Sequence, residues 1–251
     1  MKPTIVLVPG AWQLPSFFTP LSQAFTALGF PVVCRLPSSY PTASASAATP
    51  PILNPDTLFL REHVLQPLLD EGKEVVLLMH SYGGIYGPAA LEGLARGARE
   101  RNGLKGGVIA CLYTAAFVAR AGQSAMSAMG FSAGNLPPWI QHDDHAKVML
   151  FHDLPDAEAD SLAAALPQQP YECFAQPVQW DPYDDEAFRS RFGYIYTEAD
   201  RILPMRVQQG FAKAGGIQHT IVLKGASHSP HIEMPHRLAE TAVSMLETLA
   251  A

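Results

Sequence analysis

The sequence predicts an α/β fold: a mostly parallel sheet of about six strands, helices on both faces, and a small insertion between two late strands. Three observations predict it. Short apolar runs alternate with longer stretches of helical period, which is the signature of βαβ units. The runs are continuous rather than alternating, as in strands covered on both faces. Gly29 and Gly72 each close a helical pattern just before a strand.

In chain order, the strand candidates are residues 5–8, 31–34, 75–79, 108–113, 194–196 and 220–223. The helix candidates between them are residues 16–28, 56–70, 81–99, 205–214 and 234–249. Two stretches break this rhythm. Residues 37–55 are rich in Pro, Ser, Ala and Thr and read as a long loop. Residues 120–188 lack the alternation and carry Pro137-Pro138, Trp139 and a short helical pattern near residues 157–166. They read as a cap of residues 120–188 inserted into a core made of residues 1–119 and 189–251.

Composition narrows the class. Of 251 residues, 48% are apolar and 16% charged, which excludes overall disorder. Lys+Arg number 17 and Asp+Glu 23, giving −6, and no basic cluster offers a phosphate footprint for nucleic acid. Cys34, Cys111 and Cys173 stand far apart, so no paired spacing points to zinc or redox chemistry, and three free thiols suit a reducing compartment. No apolar stretch approaches the ~18 residues of a membrane span, and the N-terminal run is too short for a signal peptide. A cytoplasmic protein acting on a small molecule, without membrane or nucleic-acid partner, is the expectation. Oligomeric state has no signature in the sequence.

The sharpest local signal is Val75-Val76-Leu77-Leu78-Met79-His80-Ser81-Tyr82-Gly83-Gly84. A buried strand ends, a Ser follows, and a helix begins. Such a corner strains its residue and pushes the side chain out of the C-terminal edge of the sheet. Residues two positions away must be small; Gly83 satisfies this, but Met79 stands where Gly is usual. Met79 therefore needs a wider turn or a place in the core. The plainer alternative is a Ser that only caps a helix.

A Ser hydroxyl needs a base oriented by a carboxylate. In this fold class the partners follow in the order Ser, acid, His, each just past a later strand. Asp200 and His228 occupy those places, so Ser81, Asp200 and His228 should emerge from one edge of the sheet. Glu198 is an alternative acid and His231 an alternative base. The negative oxygen of a tetrahedral intermediate requires backbone N–H donors. The amides of Tyr82 and of Ala11, in Val8-Pro9-Gly10-Ala11-Trp12, are the candidates.

These segments resemble α/β-hydrolases of the plant salicylate-methylesterase and hydroxynitrile-lyase type. More closely, the chain is similar to small single-domain α/β-hydrolases of filamentous fungi. The resemblance rests on Val8-Pro9-Gly10-Ala11-Trp12, Met79-His80-Ser81-Tyr82-Gly83-Gly84, Tyr194 to Asp200 with Leu203-Pro204, and Ala226-Ser227-His228-Ser229-Pro230. It implies Ser81 as nucleophile, His228 as base, Asp200 as acid, and Ala11 and Tyr82 as oxyanion donors. Plant relatives carry His-Gly where this chain has Pro9-Gly10. The lyase branch adds a Lys after the catalytic His, whereas Ser229 stands here. Branches with an Asp nucleophile are excluded if Ser81 is the elbow residue.

Substrate choice falls to the insertion, which offers Phe131, Trp139, Phe151, Tyr171, Phe174, Trp180 and Tyr183. Trp12, Phe131, Trp139, Phe151 and Trp180 are the candidate substrate contacts, for an apolar, aromatic or polyketide-like acyl group; packing of the cap onto the sheet is the plainer role. His142-Asp143-Asp144-His145 has a metal-like spacing but reads as a polar helix start. No metal and no cofactor is expected, since no Gly-rich dinucleotide loop is present. The leading expectation is hydrolysis of a carboxylic ester or lactone through an acyl-Ser intermediate. Cyclisation, isomerisation or C–C cleavage on the same scaffold is the alternative, and small-molecule binding without turnover is a third reading.

Overall fold

A computed structural model describes residues 2–39, 55–131, 144–170 and 172–250. The Pro/Ser/Ala-rich stretch from residue 40 to 54, Trp139, His142, Asp143 and Tyr171 lie outside the described residues.

The strands are β1 (Thr4–Val8), β2 (Val32–Cys34), β3 (Glu74–His80), β4 (Gly107–Thr114), β5 (Phe192–Thr197) and β6 (His219–Leu223). They form one sheet of order β2-β1-β3-β4-β5-β6, and every pair is parallel. The order explains why the strands read as unbroken apolar runs. In β1, Val6 and Val8 face one core while Ile5 and Leu7 face the other; in β3, Leu77 and Met79 part in the same way from Val76 and Leu78. Each fully buried Val or Leu stabilises the fold by roughly 1.5–3 kcal/mol, so both faces must be covered.

The helices are α1 (Thr19–Ala27), α2 (Pro55–Phe59), α3 (Gln66–Asp70), α4 (Gly83–Ala89), α5 (Arg96–Arg101), α6 (Ala125–Ala128), α7 (Asp144–Leu150), α8 (Asp156–Ala164), α9 (Glu172–Ala175), α10 (Met205–Ala214), α11 (Pro230–Glu233) and α12 (Pro235–Ala250). Leu21 and Phe25 of α1 and Leu238, Ala242 and Met245 of α12 cover the face of Ile5 and Leu7. Residues of α4 and α10 cover the opposite face. No helix among the described residues is long and apolar enough to cross a membrane.

Two helical expectations need correction. The helix expected over residues 81–99 is two helices, because Pro88 and Gly93, the latter at φ 73°, break the run. Ala95 then bridges Val108 before α5 begins. The helix expected over residues 56–70 contains a π-helical stretch, Leu60–Leu65, ahead of Pro67, whose ring nitrogen has no proton to donate. α6 to α9 lie between β4 and β5.

The chain leaves β1 in one direction to make β2 and crosses back to make β3 on the other side. The loops after β1 and β3 therefore diverge, which opens a crevice at the C-terminal ends of these two strands.

Candidate active site

Ser81 sits at that crevice, between β3 and α4, in a left-handed conformation with φ 49°. The strain is held by neighbours: the Ser81 carbonyl accepts from the amides of Gly84 at 3.0 Å and Phe117 at 3.1 Å. A Cβ on Gly83 would fall 2.4 Å from the Val8 carbonyl oxygen, so the corner closes only with glycine there. Met79, unusual in this turn, lies fully buried against Gly87, where a Cβ would stand 2.7 Å from the Met79 sulfur. The bulk before the Ser is thus offset by a missing side chain eight residues later, on the first turns of α4.

Asp200 follows β5, and His228 follows β6. Nε2 of His228 is 3.0 Å from Ser81 Oγ, and Nδ1 is 2.9 Å from Asp200 Oδ2. The other oxygen of Asp200 accepts from the amides of Ile202 and Leu203, each at 2.8 Å, and Thr197 Oγ1 donates to Oδ2 at 3.0 Å. Burial alone would push the Asp200 carboxyl up; the facing His228 and the two amides outweigh it and hold the group below the usual carboxylate range. Ser81, Asp200 and His228 are all buried. The two alternatives stand elsewhere. Glu198 accepts from the Gly225 amide, and His231 stacks on Phe18 at 4.2 Å.

Two buried residues support this geometry from outside it. Gln208, on α10, accepts from the Thr197 amide at 2.9 Å and donates to the carbonyls of Thr197 and Leu203, clasping the loop that carries Asp200. His80 has Nε2 2.7 Å from the His228 carbonyl, which can only accept, so Nε2 carries the proton. Burial, followed by the neighbouring His228, pushes His80 down to about 3, so the ring is neutral. Its Nδ1 lies 2.9 Å from Oε1 of Gln13; with Nε2 protonated, exchanging the two ends of that amide would bring its N–H to Nδ1. Gln208 has a readable signal, a polar residue on the apolar face of an amphipathic helix; His80 and Gln13 have none.

Ser81 and His228 open onto a cavity of about 210 Å³ whose wall is otherwise apolar. Ala11 and Trp12 line it from the β1 loop, Phe117, Ala125, Met126, Met129 and Phe131 from the chain after β4, and Leu150, Phe174 and Ile202 complete it. Trp12 and Phe131 stand where the sequence predicts substrate contacts. Phe151 and Trp180 do not. Phe151 packs edge-on against Phe17 in the core, and Trp180 packs against Phe188. The chain turns at this point: Leu150, the last residue of α7, lines the cavity, and Phe151, just past the helix, points into the core. Among the described residues, no group of three or more His, Cys, Asp or Glu is arranged to hold a metal ion. A larger groove, of about 290 Å³, lies at the opposite ends of β5 and β6 and contains none of the candidate residues.

The family model described as the alpha/beta hydrolase family matches residues 5–241. The chain belongs to that family. It is therefore an enzyme of the hydrolase class, and its relatives agree. A probable hydrolase, R7, from a Phoma species is 29% identical over 255 residues, covering 97% of this chain and 98% of the relative. A mutant of polyneuridine aldehyde esterase superposes with a TM-score of 0.76 at 14% identity, covering 98% of this chain and 99% of its own. The methylesterase MES16 from Arabidopsis gives a TM-score of 0.69 at 17% identity, with 98% of this chain and 100% of its own covered. At these identities the two structures speak for the fold alone.

Proposed function

We propose that this hydrolase cleaves a carboxylic ester or lactone of a small apolar metabolite through an acyl-Ser intermediate. The observation that carries the reading is the pair of contacts made by one ring, 3.0 Å to Ser81 Oγ and 2.9 Å to Asp200, at the floor of an apolar cavity. Ser81 is the nucleophile. Its proton passes to His228 Nε2 as Oγ attacks the carbonyl carbon, and Asp200 stabilises the imidazolium that forms. In this reading the amides of Ala11 and Tyr82 donate to the oxygen that becomes negative; one such donor is typically worth ~10²–10³ in rate. Collapse expels the alcohol with the proton from His228, and water then releases the acid by the same route in reverse.

The residues between β4 and β5 act as the cap that selects the acyl group. An apolar wall supports an uncharged acyl portion, because a carboxylate there would lose its hydration without gaining a partner. Esterases and methylesterases among the structural neighbours fit this class of substrate. Kinetics of Ser81→Ala on activated esters, with wild-type turnover in ¹⁸O-labelled water, tests the proposal. Loss of turnover in the variant and one labelled oxygen in the acid are expected. Unchanged rates, or a product without the label, would overturn it.

A further inference from the structure

Trp12 follows the β1 loop in a left-handed conformation, φ 58°, which a bulky residue rarely adopts without outside support. Its support comes from far along the chain. The Trp12 amide donates to Oε1 of Gln169 at 3.2 Å, and Gln169, 2% exposed, lies between α8 and α9. Gln169 Nε2 donates to Ser39 Oγ at 3.1 Å, and Ser39 Oγ donates to Asp56 Oδ2 at 2.7 Å. Asp56, 1% exposed, also accepts from the Ser39 amide at 2.7 Å and from the Tyr82 hydroxyl at 3.3 Å.

The series has one consistent direction. Trp12 gives to Gln169, Gln169 to Ser39, and Ser39 and Tyr82 both give to Asp56. Its two ends are the residue after Ala11 and the residue after Ser81. These are the two turns that carry the candidate oxyanion amides; the Tyr86 hydroxyl, donating to the Pro9 carbonyl at 3.0 Å, joins α4 to the same β1 loop. At position 169 the side chain accepts through Oε1 and donates through Nε2, which the two ends of an amide allow.

We propose that Gln169 is a positioning residue for the oxyanion hole, fixing the separation of the Ala11 and Tyr82 amides through Ser39 and Asp56. The role rests on the serine reading of Ser81. It also ties the turn between α8 and α9 to the reaction. Donors of this kind act on charge present only in the transition state, so a displaced amide lowers kcat and leaves ground-state binding almost untouched.

The test compares wild type, Gln169→Leu, Gln169→Glu and Ser81→Ala on p-nitrophenyl butyrate. Rates are expressed per Ser81 titrated with a fluorophosphonate, so misfolded protein does not count. For Gln169→Leu the expectation is a fall in kcat of ~10–100-fold with KM within about threefold of wild type. Gln169→Glu keeps the acceptor for the Trp12 amide and should lie between the two. A kcat per titrated site within about twofold of wild type in Gln169→Leu, or an equal rise in KM, would overturn the role. Turnover by Ser81→Ala would overturn the serine reading instead, and this role with it.

Discussion

Nε2 of His80 stands 2.7 Å from the backbone oxygen of His228, so the residue just before Ser81 holds the main chain of the residue whose ring meets Ser81. The elbow and the loop after β6 are thus joined twice, once through a backbone oxygen and once through a ring. Replacing His80 with Leu removes the donor and should lower kcat by ~10-fold or more, because small displacements of a reacting group cost heavily in rate. Gln places an N–H near the position of Nε2, so His80→Gln should recover most of the loss. Steady-state kinetics of the two variants separate this from a packing role, for which Leu would serve better than Gln.

The same ring should appear in the pH dependence of stability. His80 is pushed from 6.5 down to about 3, and buried His231 is also pushed well down, by burial and then by its histidine neighbours. The unfolded chain binds these protons first as pH falls, so their contribution is full above about 6.5 and is lost progressively toward lower pH. Asp200, held below its ordinary value, adds a loss only as pH falls through the carboxylate range. Asp56, pushed up by burial, works in the opposite sense. Thermal unfolding between pH 8 and 5 should show wild type losing stability below about pH 6.5, with a shallower loss in His80→Gln. Parallel curves would contradict the assignment.

Met79 and Gly87 should be coupled. Gly87→Ala places a methyl group against the Met79 sulfur and should destabilise by ~1–3 kcal/mol. Adding Met79→Ala should recover part of that loss rather than deepen it. A double-mutant cycle in urea measures the coupling, and simple additivity would show that the two sites are independent.

The cavity wall predicts selectivity among acyl groups. Each buried methylene is worth ~0.8 kcal/mol, about fourfold in kcat/KM while space remains. Butyryl esters should therefore exceed acetyl esters by roughly an order of magnitude, and a hemisuccinate of similar length should be turned over far more slowly. Steady-state kcat/KM across such a series is the measurement; a charged acyl group that is preferred would contradict the apolar reading of Phe117, Met126 and Phe174.

The sheet was legible because both of its faces are covered: residues such as Val76 and Leu77 are apolar although they point in opposite directions, and an unbroken run has few other causes. The edge that gathers Ser81, Asp200 and His228 was legible for a related reason, since strand ends can be counted along a chain. The cavity wall was not. Apolar content marks Phe151, Trp180 and Phe174 alike, while the direction of each side chain depends on local backbone that apolar content does not reveal; Phe174, on α9, reaches the cavity, and the other two, outside the helices, pack elsewhere. Gln169 and Asp56 lay further out of reach. Their partners are more than a hundred residues away or on other loops, and neither the Pro167 to Pro170 turn nor the helix start at Pro55 reveals what a polar side chain there will meet.

The central claim is that Ser81 is the nucleophile, and intact-mass spectrometry after fluorophosphonate treatment tests it most directly. The account predicts a single adduct on wild type that maps to the peptide containing Ser81 and disappears in Ser81→Ala. Equal labelling of that variant, or an unlabelled wild type that still turns over esters, would contradict it.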